Sequence, residues 1–274
     1  MRNLTLFLIV VISFVGCKKD DPDHVDPSPY ECVIYKGDLL PQLGDSINYN
    51  IDTTTFKSIL SGGEGVTWSF TGLKMQDSAK AHYIDTTGLK YSSSFPASIY
   101  TSTINEELVY LGVTSNGLEV QGAVIAVADT QFVAVYDKKY NQIDFPLSYL
   151  DDKSETYSYD ETKYNIEIMV NGTKTPADSV ELSRTGTIMK EVDGCGTLKM
   201  PNATYDVLRI YKEETIADTV VAHVFIGFGT KEFVIVEKET IYKTYEFVTD
   251  SLSAPVLIIE LNDDKEAEVV RFQN

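Results

Sequence analysis

From about residue 36 onward, apolar and polar residues alternate with a period of two through most of the chain. In "EGVTWSFTGL", Val66, Trp68 and Phe70 alternate with Thr67, Ser69 and Thr71. Successive side chains of a strand point to opposite faces, so this spacing predicts a half-buried strand with the single tryptophan turned inward. "EELVYLGVTSNGLEVQGAVIAVA" sets two β-rich runs about Ser115-Asn116-Gly117. Asn-Gly between such runs signals a hairpin, because a tight turn of that hand needs positive φ at its centre. Further hairpins are predicted at Asn171-Gly172 in "YNIEIMVNGTKT" and at Asp263-Asp264 in "PVLIIELNDDKEAEVVRFQ". "TVVAHVFIGFGTKEFVIVEKETIYKTYEFVT" adds two or three strands about Gly227 to Lys231. No window sustains a capped 3.6-residue apolar period, so little helix is expected. The prediction is an all-β fold, either an antiparallel sandwich or partly open, barrel-like sheets.

The polar, tyrosine-rich segment 145–164 could divide this β region into two lobes or lie within a single sandwich. One β unit over 37–274 is the expected arrangement. Before it, the pattern changes twice. Arg2 precedes an apolar run from Leu4 to Val15 that would span roughly 18 Å as a helix, short of the roughly 30 Å hydrocarbon core of a bilayer. Residues 1–16 therefore read as a signal peptide. Phe14-Val15-Gly16-Cys17 resembles a relaxed bacterial lipobox, although a Leu and a small residue are more usual at its two leading positions. That resemblance makes Cys17 the lipid attachment site, carrying palmitate-like acyl chains; the plain alternative is a secretory leader with an incidental cysteine. Each buried methylene contributes on the order of 0.8 kcal/mol, so two or three chains suffice for anchoring.

Residues 17–36 form an acidic, Pro-rich tether. Its opening, Lys18-Lys19-Asp20-Asp21-Pro22-Asp23, resembles the surface-export signal of lipoproteins from Bacteroidota, which implies an outer-membrane protein at the cell surface. A solvated spacer on the periplasmic face of the outer membrane is the alternative. Charge supports a lipid anchor over a basic one: 23 Lys and Arg against 41 Asp and Glu give a formal net charge of -18. Such a surface repels anionic headgroups and phosphate backbones, so no nucleic acid partner is expected. With 43% hydrophobic residues the chain can nevertheless bury a core.

Setting Cys17 aside leaves Cys32 and Cys195, and an oxidising envelope allows them to bridge or to remain two buried thiols. Neither lies in a CxxC pair or beside a histidine, so no metal site is expected from them. "GVTWSFTGL", "VDGCGTLKMPNATYDVLRIYKEE" and "YKTYEFVTDSLSAPVLIIE" resemble blocks of secreted or lipid-anchored proteins of Bacteroidota, covering most of residues 44 to 260. An aromatic residue is more usual there where Cys195 stands, and the resemblance implies kinship without an activity. Physically, Gly194 and Gly196 permit a bend, Pro201-Asn202 a turn, and Val207 and Leu208 a strand entering the core.

Sequence signals for catalysis are lacking. His24 lies in the tether, His223 in the apolar run "VVAHVFIG", and His82 stands alone in "KAHYID". The chain carries no GxSxG, SxxK, HExxH or EF-hand pattern, and "GFGTK" reads as a hairpin turn rather than a phosphate loop. No cofactor is expected, apart from structural calcium held by Asp and Asn oxygens in turns. The adjacent pairs Asp151-Asp152, Glu213-Glu214 and Asp263-Asp264 would face opposite ways on strands.

Asp followed by Ser or Thr and then an aliphatic residue or Thr recurs around Ser46, Thr53, Ser78, Thr86, Ser179, Thr219 and Ser251. Composition would give roughly one or two such tripeptides. The pattern resembles the O-glycosylation acceptor of exported Bacteroidota proteins, and those seven hydroxyls are the candidate sites; the alternative is a turn motif entering a strand. Two functions remain. One is a non-catalytic binding or structural module with a glycan or protein partner, for which 17 Tyr and 12 Phe could supply contact area. The other is an envelope hydrolase with an unrecognised carboxylate pair of glycosidase type.

Overall fold

In the computed structural model, residues 32–35, 39–54, 61–104, 107–127, 130–170 and 173–273 are described. The leader, Cys17, His24, most of the tether and the Asn171-Gly172 turn lie outside these. Among the described residues fifteen strands follow one another: β1 (Val33–Ile34), β2 (Ser46–Asp52), β3 (Gly63–Ser69), β4 (Asp77–Asp85), β5 (Tyr100–Ile104), β6 (Glu107–Val113), β7 (Gly117–Val127), β8 (Thr130–Asp144), β9 (Leu147–Ser148), β10 (Asp152–Val170), β11 (Thr173–Lys199), β12 (Thr204–Phe225), β13 (Thr230–Val248), β14 (Leu257–Leu261) and β15 (Ala267–Phe272). Apart from a 3₁₀ turn at Ser92–Ser94, every regular element among the described residues is a strand.

The protein is all-β, as its alternating pattern predicts. Strand order is β10-β8-β7-β6-β5-β4-β2-β15-β14-β13-β12-β11-β3, and β1 pairs separately with β9. β10 also pairs with β11 along nearly its whole length, whereas it meets β8 at the single pair Ser158–Lys138. The sheet therefore folds over itself without closing into a barrel, and β10 to β12 share one core with β2, β4 and β6 to β8. Segment 145–164 is no free linker, since β10 begins at Asp152 and is zipped to β11 from Asp152–Glu191 outward.

One pairing breaks the antiparallel rule. β3 lies parallel to the end of β11, opposite Gly194 to Lys199, where β10 has left that edge free. The glycine at 196 does more than permit a bend: a Cβ there would overlap the Val66 backbone. That close approach seats Trp68, 3% exposed, edge-on against Phe247 in a second core with Phe70, Leu198 and Val207. Arg209 lies over the Trp68 ring and forms a two-pronged ion pair with Asp193, with both N–O distances 2.7 Å. Pro201 and Asn202 make the β11–β12 turn as expected.

Candidate functional site

Alternation along β11 turns Val180, Leu182, Arg184, Gly186, Ile188, Lys190 and Val192 toward the opposite layer. A lysine and an arginine thus occupy apolar places in a buried row. Lys190 is 8% exposed, and an ammonium removed from water persists only with partners. Its Nζ donates to Asp144 Oδ2 on β8 at 2.7 Å, to Glu155 Oε2 on β10 at 2.9 Å, and to the Asn141 carbonyl. Lys153 reaches the same two carboxylates, at 2.5 and 3.0 Å.

Register places Lys212 of β12 directly opposite Lys190. Like charges so placed repel, and each is neutralised from a different side: Lys212 Nζ donates to Glu246 at 2.7 Å on β13. The row continues through Tyr157, whose hydroxyl donates to Glu214 Oε1 at 2.6 Å. Burial and then the Glu214 charge push that phenol far above its ordinary pKa, so it remains a donor. Gly186, opposite Tyr157, leaves the space its ring fills. Tyr136 stacks on Tyr157 and Tyr159, and Arg184 pairs with both oxygens of Asp218 at 2.5 and 2.7 Å.

Two small cavities flank this polar row and share Gln142, Lys190 and Lys212 in their walls; they hold about 140 and 120 Å³. Both are below the roughly 300 Å³ of an ordinary small-molecule site. Asp144 and Glu155 are gripped by the same two lysines. A glycosidase acid must hold a proton at neutral pH. Burial pushes the Asp144 carboxyl upward, but Lys190's charge and hydrogen bonds from Lys153, Lys190 and Asn141 outweigh it and hold its pKa below the ordinary value. The arrangement can lock two layers together electrostatically, with the Asp144 carboxyl held in its charged form.

A larger polar groove, about 360 Å³, opens where β1 meets the β11–β12 turn and the segment after β13. Its walls carry Asp206, Asp250, Thr204, Thr249 and Ser251. The disulfide lies behind it: Cys32 and Cys195 are joined with a Cα–Cα distance of 5.8 Å. Cys195 is 1% exposed.

Of the hydroxyls in the repeated tripeptide, Ser46, Thr53, Ser78 and Ser251 are exposed, and Ser179 and Thr219 are half-buried. Thr86 is buried, and its hydroxyl donates to the Ser98 carbonyl at 3.2 Å. Asp52 and Asp85 accept from the backbone two residues on, as turn formers do. Asp178 and Asp218 do not fit the turn reading, because both lie inside long strands. Asp218 serves Arg184 instead. His223 stands between Glu181 and Glu232 at 3.3 and 3.9 Å, and His82 lies within β4.

Sequence reasoning missed the Lys190–Asp144–Glu155 cluster, although the signal was present: basic residues at 184 and 190 fall in phase with Val180, Leu182, Ile188 and Val192. Of the tyrosines that could supply contact area, Tyr136, Tyr157 and Tyr159 stack inside the core, whereas Tyr35, Tyr164 and Tyr242 are exposed. Among the described residues no group of three or more His, Cys, Asp or Glu is placed to hold a metal ion, and no helix is long and apolar enough to cross a membrane. No protein-family model matches the chain, and no curated protein or solved structure matches it.

Proposed function

We propose that this chain is a lipoprotein of the bacterial outer membrane, held by acyl chains on Cys17 and displayed at the cell surface, where it acts as a non-catalytic binding or structural module. The resemblance of its N-terminus to lipobox and surface-export signals, and of its internal blocks to Bacteroidota envelope proteins, supports the location. One observation carries the non-catalytic reading: the half-buried carboxylates gathered beside the cavities, Asp144 and Glu155, are both held by Lys153 and Lys190. The polar groove beside β1 is the binding surface of this reading, with hydroxyls and two aspartates suited to a sugar or a polar peptide.

The anchor is tested by mass spectrometry of the mature N-terminus and by fractionation. Cys17→Ser should release the protein from membranes; a membrane-bound variant with an unmodified residue 17 would sink the anchor. The module is tested on an immobilised panel of glycans and peptides. Binding that falls at least tenfold in Asp206→Asn and Asp250→Asn assigns the groove, whereas glycan cleavage abolished by Glu155→Gln would make the protein an enzyme.

A further inference from the structure

β13 pairs with β12 from Thr230 to Val248, but its other side meets β14 only from Lys243 to Phe247. Among the described residues, Thr230 to Tyr242 is therefore a bare strand edge, whose unpaired N–H and C=O groups invite another strand. It is also unusually apolar for an edge: Val234, Ile235, Ile241 and Tyr242 are exposed, and Phe228 in the adjoining turn is fully exposed at 105%.

The residues of this edge read "TKEFVIVEKET" from Thr230 to Thr240. Turned end for end and set beside itself with Ile235 facing Ile235, the segment is complementary to its own copy. Thr230 meets the partner's Thr240, Lys231 the partner's Glu239, Glu232 the partner's Lys238, and Val234 the partner's Val236. Only Phe233 and Glu237 face each other without a natural match. A slip of two residues, the smallest that preserves which side chains share a face, sets Val234 against the partner's Lys238 or Glu232 against the partner's Val236. One register thus satisfies both the charges and the apolar residues.

The same register covers the exposed apolar groups beyond the segment. It carries the exposed Ile241 and Tyr242 past the end of the partner's β13, toward the turn where the partner's Phe228 is exposed. The bulge of β13, where Val234 and Val236 pair with successive residues of β12 and Ile235 is extra, falls on the two-fold axis. There the irregularity faces its own copy, so the ladders on both sides stay in step. We infer that two copies of this chain associate through an antiparallel pairing of their β13 edges over Thr230–Thr240, with Ile235 on the two-fold axis.

The test is a charge exchange in the full chain, followed by sedimentation velocity in detergent over a micromolar dilution series. Lys231→Glu with Lys238→Glu puts like charges at four facing pairs, as does Glu232→Lys with Glu239→Lys. Each doubly substituted chain alone should dissociate, its dimer constant weakened about thirtyfold or more, with urea unfolding matching the wild type's once both are diluted to monomers. An equimolar mixture of the two should dimerise again, because every facing pair is then opposite in sign. Ile235→Cys gives a second reading: oxidation should yield a covalent dimer beyond that of the unsubstituted chain, and Glu237→Cys should not. A wild-type chain that stays monomeric, charge-reversed chains that dimerise as tightly as wild type through another surface or a shared lipid contact, or a mixture that stays monomeric would each overturn the pairing.

Discussion

Replacing Lys190 by Met keeps most of the aliphatic stem and removes the ammonium that Asp144, Glu155 and the Asn141 carbonyl share. Losing one partner of a buried ion pair costs about 3–5 kcal/mol, because the remaining charge is left uncompensated. Lys153 still touches both carboxylates, so the expected loss lies at the low end, about 3 kcal/mol at pH 7. The pH dependence identifies the cause. In the wild type the Asp144 pKa lies below its ordinary value. Its contribution is therefore fully present above the unfolded carboxyl value of about 3.9 and fades as pH falls through the lower folded value. Without Lys190 the balance shifts toward burial, the carboxyl rises, and the variant gains on the wild type as acid is added. Urea unfolding of both proteins at pH 7 and near pH 4 should show the penalty at least halved at the lower pH. Adding Asp144→Asn and Glu155→Gln should recover most of the loss at pH 7. A penalty equal at both pH values, or below about 1 kcal/mol at pH 7, would refute the claim that this ammonium offsets two half-buried carboxylates.

Three other outcomes are expected. Reduction of the Cys32–Cys195 bridge frees an unfolded-chain loop of 163 residues, for which chain entropy sets an upper estimate of about 5 kcal/mol; chemical unfolding with and without reductant measures it, and the steeper denaturant dependence of the reduced chain distinguishes an unfolded-state effect from lost packing. Gly196→Ala should push β3 off β11 and wet Trp68, read as a red shift in the emission of the only tryptophan. Tyr157→Phe leaves Glu214 without its phenol donor and should cost about 2 kcal/mol in thermal or urea unfolding.

Strand content was legible because the alternation that defines a half-buried strand is a local property, as Val66, Trp68 and Phe70 show. The long hairpins were less so, for β11 runs through 27 residues without a break that composition would mark, and Asp178 and Asp218 resemble turn residues when read locally. β3's parallel docking was not legible at all, since it depends on two glycines more than 120 residues downstream, Gly196 meeting the Val66 backbone and Gly194 the Trp68 ring. The charged row between layers lies between these cases. Lys190 and Arg184 are visibly in phase with apolar neighbours, but their carboxylate partners come from β8, β10 and β12, which only the folded register brings together.

Cys32 stands fifteen residues after Cys17, a spacer that reaches roughly 50 Å when drawn straight. With the chain anchored at Cys17 as proposed, any drag on the body, from flowing medium or from a bound particle, would be transmitted to the spacer's far end. The two-residue strand β1 would peel away under modest tension, but the sulfur link hands the load to the 27-residue strand β11 at Cys195, inside the core. The mooring line is thus spliced to the hull's keel rather than to its rail.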